Sequence, residues 1–136
     1  DVAKIIHSFG MVVVLWYPKV VRDYHDFGCI DREMEERRKV FSAIPYLDAM
    51  LVPLGDPGSL WPTDAMRLTE HFVEILHEYH PEAGVWVAPQ HFQPEPGWYD
   101  TFYEEIAKEP DWITGVCFSP LENDSIEEQY ENLPEK

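Results

Sequence analysis

Four short apolar runs, each ending in a proline, constrain the fold of this chain more than any other feature. The runs are Met11–Pro18, Leu47–Pro53, Gly84–Pro89 and Ile113–Pro120, and their final prolines are 35, 36 and 31 residues apart. Their nearly continuous apolar character is typical of parallel strands that are buried on both faces, and Val, Trp and Phe favour the extended conformation. Proline has no N–H to donate, so it ends a ladder of hydrogen bonds. The pattern therefore predicts four parallel strands.

Between these runs the apolar residues recur at the spacing of a helix. The stretches 2–9, 68–79 and 99–106 each place apolar side chains on one helical face, and a weaker stretch runs from about residue 31 to 44. We expect Asp31 and Thr63 to cap the N-termini of two of these helices. Ser125-Ile-Glu-Glu128 has the spacing of a capping box and predicts a further helix start.

Alternating strands and helices at this spacing predict right-handed crossovers and a parallel sheet. Long loops after the strands and short connections before them favour a barrel, in which the chemistry is confined to one rim. We therefore predict an α/β fold of four consecutive βα units, about half of a TIM-type (β/α)₈ barrel. Since a complete barrel has about 250 residues, we expect residues 1–136 to be a single α/β segment of a larger barrel domain. The alternative is a free-standing four-stranded domain that covers its sheet edges by self-association.

The charge of the chain excludes two classes of partner. With 26 acidic and 10 basic side chains, its formal charge is −16, which repels nucleic acid and anionic membranes. Much of this charge lies in predicted helices, as in Glu33, Glu35 and Glu36, which we interpret as solvated helix faces. The two cysteines form neither a disulfide framework nor a zinc motif, so no metal is expected. Catalysis by carboxylates would need no cofactor, and none is expected. The localisation stays open, with a secreted or periplasmic parent protein as one alternative.

Two carboxylates are candidates for catalysis at the predicted rim. Asp56 lies in the turn Gly55-Asp56-Pro57-Gly58 after the second strand, and Glu122 follows the fourth strand. Glycoside hydrolysis needs two carboxyl groups that are roughly 5 to 9.5 Å apart, so Asp56 and Glu122 form one candidate pair. The alternatives are a turn residue that bonds its own backbone, for Asp56, and a charge at a helix start, for Glu122.

Aromatic side chains are expected around the same rim. Flat aromatic faces pack against the apolar C–H faces of a sugar ring, so several of them beside carboxylates suit a carbohydrate. The alternative for single tryptophans is that they cap the core. Polar residues of the strand-end loops can hydrogen-bond sugar hydroxyls, and a loop histidine can titrate near neutral pH. The candidate substrate-binding residues are Trp16, Tyr17, Asp23, Trp61, Gln90, His91 and Trp98.

Four motifs of the chain carry a resemblance to a known family. Leu15-Trp16-Tyr17-Pro18, Val52–Gly58, Tyr79-His80-Pro81 and Val85–Gln90 resemble, in order and spacing, part of a family of large bacterial glycoside-hydrolase-like proteins. Their catalytic domain looks like a (β/α)₈ barrel of the hexosaminidase and α-glucuronidase group. The resemblance covers roughly residues 2 to 120 and implies a carbohydrate-active barrel. It also implies that Asp56 and Gln90 lie at the substrate face.

This chain departs from the family pattern in two respects. It has Ser59 where family members tend to have histidine, and family barrels continue with further strands after the region of resemblance. The leading hypothesis is therefore a carbohydrate-active, glycoside-hydrolase-like barrel segment that binds sugar at the strand ends, and both activity and inactivity of the segment on its own stay open. The alternative is a non-catalytic module that binds carbohydrate or protein, including a half-barrel dimer.

Overall fold

Helices and strands alternate along the chain in the computed structural model, which describes residues 2–20, 26–57, 60–118 and 125–131. The helices are α1 (Val2–Ser8), α2 (Phe27–Ala43), α3 (Pro62–Tyr79), α4 (Trp98–Ile106) and α5 (Ile126–Glu131). The strands are β1 (Val14–Trp16), β2 (Ala49–Pro53), β3 (Gly84–Ala88) and β4 (Gly115–Val116). Among these helices, none combines the length and the apolar character needed to cross a bilayer.

The four strands form one parallel sheet in the order β1-β2-β3-β4. Leu15 lies opposite Met50, and Met50 lies opposite Val85. The prediction of four parallel strands that alternate with helices is therefore confirmed. Each strand is shorter than its apolar run, with 3 residues in β1 and 2 in β4.

One face of the sheet is covered by helices. Met50, Val52, Val85 and Val87 have no exposed surface. The helices supply equally buried aromatic side chains: Phe41 from α2, Phe72 from α3 and Phe102 from α4. Because α2 contacts α3 and α3 contacts α4, the helices lie side by side in chain order. A sheet with consecutive strand order needs only one helical layer in this arrangement.

The other face of the sheet is open. Side chains alternate between the faces of a strand, so Trp16, Leu51 and Trp86 lie next to one another in register on this side. Trp16 is 49% exposed, Trp86 is 39% exposed and Val14 is 52% exposed. The expectation that the strands are buried on both faces is therefore wrong for this face. The apolar stripe of α1 is also largely exposed: Val2 and Ile5, and Phe9 directly after the helix, face solvent, while Ile6 packs against the core.

The helix starts differ from two of the predicted caps. The second helix begins after Asp26, whose carboxylate accepts a hydrogen bond from the Gly28 amide at 2.9 Å, so the prediction of Asp31 as its N-cap is wrong. The third helix begins at Pro62, since proline suits a first helical position where no N–H is needed. Thr63 is therefore inside this helix, and its hydroxyl group hydrogen-bonds Glu105. Helix α5 begins directly after Ser125, as the capping-box pattern predicts.

Candidate functional site

The turns after β2 and β3 are joined by backbone hydrogen bonds. The Leu54 amide donates to the Ala88 carbonyl oxygen at 2.8 Å, and the Gly55 amide donates to the Gln90 carbonyl oxygen at 3.0 Å. A Cβ atom at Gly55 would lie under 3.0 Å from backbone atoms of Gln90 and His91. Only glycine therefore fits at this position, and the two turns are packed together as one unit.

This packing brings Asp56 and His91 together. The Nδ1 atom of His91 lies 3.7 Å from Oδ2 of Asp56, and their side chains are 66% and 30% exposed. His91 has a φ of 61°, in the left-handed region that residues other than glycine rarely adopt. Backbone of this kind persists where the surrounding structure holds it, and it is concentrated at functional sites. The two strand ends thus present a carboxylate and an imidazole to solvent side by side.

An aromatic cluster lies next to this pair. Trp61, directly before α3, and Trp98, the first residue of α4, contact each other edge to face, with ring centroids 5.2 Å apart. Phe92, the residue after His91, packs against Trp98 at 5.4 Å. Trp98 is buried, whereas Trp61 is 40% exposed and keeps part of its indole surface free to bind another flat or apolar group. Trp98 therefore serves as the support and Trp61 as the accessible ring.

Phe92 belongs to this cluster although it is absent from the sequence-based candidates. It is 8% exposed and also packs against the rings of Tyr99 and Phe102. Its signal in the sequence is a large apolar side chain in a polar loop, directly after Gln90-His91. Phe92 anchors the loop after β3 to α4, and it thereby fixes the position of His91.

A second residue outside the sequence-based candidates is Lys19, in the segment that follows β1. Its side chain is only 2% exposed, and its ammonium group donates a hydrogen bond to the Leu54 carbonyl oxygen. Burial lowers the pKa of Lys19 to about 8, against the opposing effect of the nearby Glu33 and Asp56 carboxylates, while Arg37 lowers it further. A lysine that directly follows the proline at the end of an apolar strand is its only signal in the sequence.

The segment that contains Lys19 rests on a buried ion pair in α2. Arg37 Nη2 lies 2.6 Å from Glu33 Oε1, and both side chains have almost no exposed surface. The Arg37 guanidinium group lies 4.1 Å from the ring centroid of Tyr17 and 3.5 Å from that of Phe72. The interpretation of Glu33 as part of a solvated helix face is therefore wrong. The charge pattern alone did not reveal that one acidic side chain of α2 points inwards.

The sequence-predicted candidates that the structure describes lie in four places. Asp56, Gln90 and His91 meet at the joined turns, and Trp61 and Trp98 meet in the aromatic cluster. Trp16 lies on the open face of the sheet, beside Leu51. Tyr17 lies on the helix-covered side, where its ring contacts Phe41 and Arg37, and where burial raises the pKa of its phenol. Asp23 and Glu122 lie outside the described residues.

What this site does must be inferred from its geometry. Comparison of the chain with protein-family models, with curated proteins and with solved structures finds no match. In the part of the chain that the structure describes, no three His, Cys, Asp or Glu side chains are grouped as a metal ion requires. The chemistry available there is hydrogen bonding and proton transfer by Asp56 and His91, together with stacking on Trp61.

Proposed function

We propose that the chain supplies four βα units of a (β/α)₈-type barrel, and that its strand-end loops bind and hydrolyse a carbohydrate. A parallel sheet in consecutive order with helices on one side is the arrangement that a barrel repeats eight times. The open face carries Val14, Trp16 and Trp86, and the interior of such a barrel is filled by large apolar side chains. Further βα units would cover this face and pair with the free edges of β1 and β4.

One observation carries the carbohydrate part of the proposal: the turns after two neighbouring strands bring Asp56 within 3.7 Å of His91. In a barrel these turns lie on the catalytic rim. A carboxylate and an imidazole can both hydrogen-bond sugar hydroxyls, and either can transfer a proton. The exposed part of Trp61 adds the stacking surface that a sugar ring uses. The resemblance to the glycoside-hydrolase-like family agrees with this reading.

A second candidate function is a module that binds carbohydrate without hydrolysing it. The side chain that the structure places beside the Asp56 carboxylate is a histidine, whereas glycoside hydrolysis uses two carboxyl groups. The other carboxylate of the candidate pair, Glu122, lies outside the described residues. A histidine beside an aspartate is sufficient to orient sugar hydroxyls, and this observation favours binding without catalysis.

A screen of aryl glycosides and of sugar binding, on the complete barrel that contains the chain, tests the proposal. We expect Asp56→Asn to lower kcat/KM by about 100-fold or more, the usual size of an acid/base contribution. Asp64→Asn is the matched control, because Asp64 is an exposed carboxylate in the first turn of α3. It should change kcat/KM by less than about twofold, since surface pairs contribute little.

The outcomes of this screen separate the two candidates. Hydrolysis that depends on Asp56 supports the enzyme. Saturable sugar binding without hydrolysis, weakened by Trp61→Ala, supports the binding module. If the complete barrel neither hydrolyses nor binds any glycoside of the panel, both candidates are wrong.

A further inference from the structure

We infer that Lys19 is a positioning residue for the turn that carries Asp56, and that the buried Glu33–Arg37 pair of α2 holds Lys19 in place. The mechanical part of this inference follows from contacts within the chain. Its consequence for sugar recognition rests on the proposed function. Lys19 is not a catalytic residue, because a side chain that is 2% exposed is not accessible to a substrate.

The first step is the contact between Lys19 and the turn. The Lys19 ammonium group donates a hydrogen bond to the carbonyl oxygen of Leu54, which is fully buried and lies two residues before Asp56. Hydrogen bonds from a charged donor are stronger than those between neutral groups, most of all away from water. Lys19 therefore ties the segment after β1 to the turn after β2.

The second step is how α2 fixes the backbone on both sides of Lys19. Arg37 donates a hydrogen bond to the Pro18 carbonyl oxygen at 2.8 Å, and the Val20 amide donates to Glu33 Oε1 at 3.1 Å. The Arg37 guanidinium group is itself held between two aromatic rings. The residues before and after Lys19 are thus each hydrogen-bonded to one member of the ion pair. These bonds fix the backbone at Lys19 and so restrict the directions that its side chain can take.

The third step leads from the turn to the candidate site. Leu54 and Gly55 donate backbone hydrogen bonds to Ala88 and Gln90, and Gln90 precedes His91. A displacement of Leu54 would therefore move both partners of the pair formed by Asp56 and His91. Lys19 is therefore connected to Asp56 along the backbone of the turn, and to His91 through the hydrogen bonds of Leu54 and Gly55 to the next turn.

Stability alone does not account for a lysine at this position. Burial of an ammonium group is costly, and replacement of buried ionic groups by apolar side chains is often neutral or stabilising. The charged groups that act on Lys19 are Glu33, Asp56 and Arg37, and the arginine repels it. A methionine would fill a similar volume without this cost, so the retained charge is better explained by the geometry that it imposes on the turn.

Amide hydrogen exchange of Lys19→Met tests the inference without any sugar. We expect the Gly55 amide to exchange at least about 10-fold faster in this variant. In the wild type, the local opening of the turn that exposes this amide must also break the hydrogen bond between Lys19 and Leu54, and in the variant that bond is absent. The exchange rates of core amides of α3, such as that of Phe72, should change by less than about threefold after correction for any change in the free energy of global unfolding. The matched control is Lys39→Met, since Lys39 is an exposed lysine of α2 that pairs with Glu36, and it should leave Gly55 unchanged.

Two further variants keep the inference testable if Lys19→Met does not fold. Lys19→Arg retains a charged donor and should keep most of the protection of Gly55. Glu33→Gln removes the charge that orients the segment and should accelerate exchange at Gly55 by a smaller factor, about 3-fold. Exchange at Gly55 equal to wild type in both Lys19→Met and Glu33→Gln would overturn the inference, as would a uniform acceleration over the whole core.

The consequence for the site is measured separately. If the complete barrel binds a glycoside, Lys19→Met should raise its Kd by about 10-fold, whereas Lys39→Met should leave the Kd unchanged. A wild-type Kd too weak to measure would count against the proposed function, but the exchange experiment would still decide whether Lys19 holds the turn. An unchanged Kd in a variant with faster exchange at Gly55 would overturn the link between the turn and recognition.

Discussion

The two faces of the sheet are similar in composition and opposite in environment. On one face, Met50 and Val85 are fully buried under α2, α3 and α4. On the other face, Val14, Trp16 and Trp86 are about half exposed, although Trp86 directly follows Val85 in β3. An apolar run in the sequence therefore predicts a strand, but it does not predict which element covers each face of that strand.

The difference also extends to the ends of the covered face. At the carboxyl ends of the strands this side contains Lys19, from the segment after β1, and Glu33 and Arg37, from α2, and each of them is almost fully buried. The covered side thus changes from an apolar core to a charged network near the turns that carry Asp56 and His91. The open side carries its apolar side chains without such a network among the residues that the structure describes.

The largest expected effect comes from a truncation on the covered face. We expect Met50→Ala to reduce the free energy of unfolding by about 2–5 kcal/mol, through lost burial and the cavity left behind. Leu51 is the matched control, because it is the next residue of β2, faces the open side and is partly exposed. Leu51→Ala should cost less than half as much in urea denaturation. Equal losses would show that the two faces contribute alike.

The sequence predicts the strands and their direction because the signals are local: an apolar run, a terminal proline and a spacing that requires a crossover. It also predicts the meeting of Asp56, Gln90 and His91, since turns after neighbouring parallel strands lie at the same edge. The predicted N-caps Asp31 and Thr63 were wrong because the helices begin earlier, after Asp26 and at Pro62. Asp suits an N-cap and Pro suits the first helical position at least as well as the predicted residues do.

The residues that were missed depend on contacts distant in sequence. Lys19 reaches Leu54, which lies 35 residues later, and Arg37 packs against Phe72 in another helix. In the sequence both appear as ordinary charged residues, and the periodicity of α2 gives no sign that its Glu33 and Arg37 face inwards. A charged residue is buried in an ion pair only where residues distant in sequence pack around it, and local sequence patterns do not contain those contacts.

The charged end of the covered face should give the protein a measurable pH dependence. The pKa of Lys19 falls from 10.5 to about 8 on folding. Between these values the unfolded chain retains a proton that the folded chain has released, so the free energy of unfolding should rise with pH through this window, by about 1–3 kcal/mol. Lys19→Met should abolish the rise.

The measurement is urea denaturation at several values between pH 7.5 and about 10.5, for wild type and variant in parallel. Burial raises the pKa of Tyr17, so ionisation of this phenol lowers the free energy of unfolding as the pH rises above 10. Both proteins contain Tyr17, so the difference between their free energies of unfolding is the informative quantity. Parallel curves for both proteins would mean that the ammonium group of Lys19 is solvated, and that Lys19 does not belong to the buried charged network of the covered face.

A third expectation concerns the turn that this charged end supports. Gly55→Ala should cost about 1–3 kcal/mol, because the new Cβ would meet backbone atoms of Gln90 and His91, which cannot rotate away. Gly84→Ala is the control, since its nearest neighbour is a side-chain atom of Thr114 at 3.0 Å. Thermal unfolding of both variants should place Gly55→Ala clearly below Gly84→Ala. The reverse order would mean that the turn is loosely packed.

The smallest change in the free energy of unfolding is expected for a substitution on the open face. A polar side chain there also tests whether a second copy of the chain covers this face. Trp16→Gln should lower the free energy of unfolding by no more than about 1 kcal/mol, because half of the ring is already in water. The same substitution should weaken self-association of the isolated chain by about 10-fold in sedimentation, since exposed tryptophans on an apolar patch are strong contributors to interfaces.

Trp61→Gln is the control for this effect, because Trp61 is exposed to a similar degree, at 40%, but lies in the aromatic cluster beside Trp98. It should leave association unchanged. A chain that stays monomeric at high concentration and high salt, where the repulsion between copies of charge −16 is screened, would show that the open face does not favour a second copy. The additional βα units of the proposed barrel would then be the cover to test next for the apolar side chains of β1 and β3.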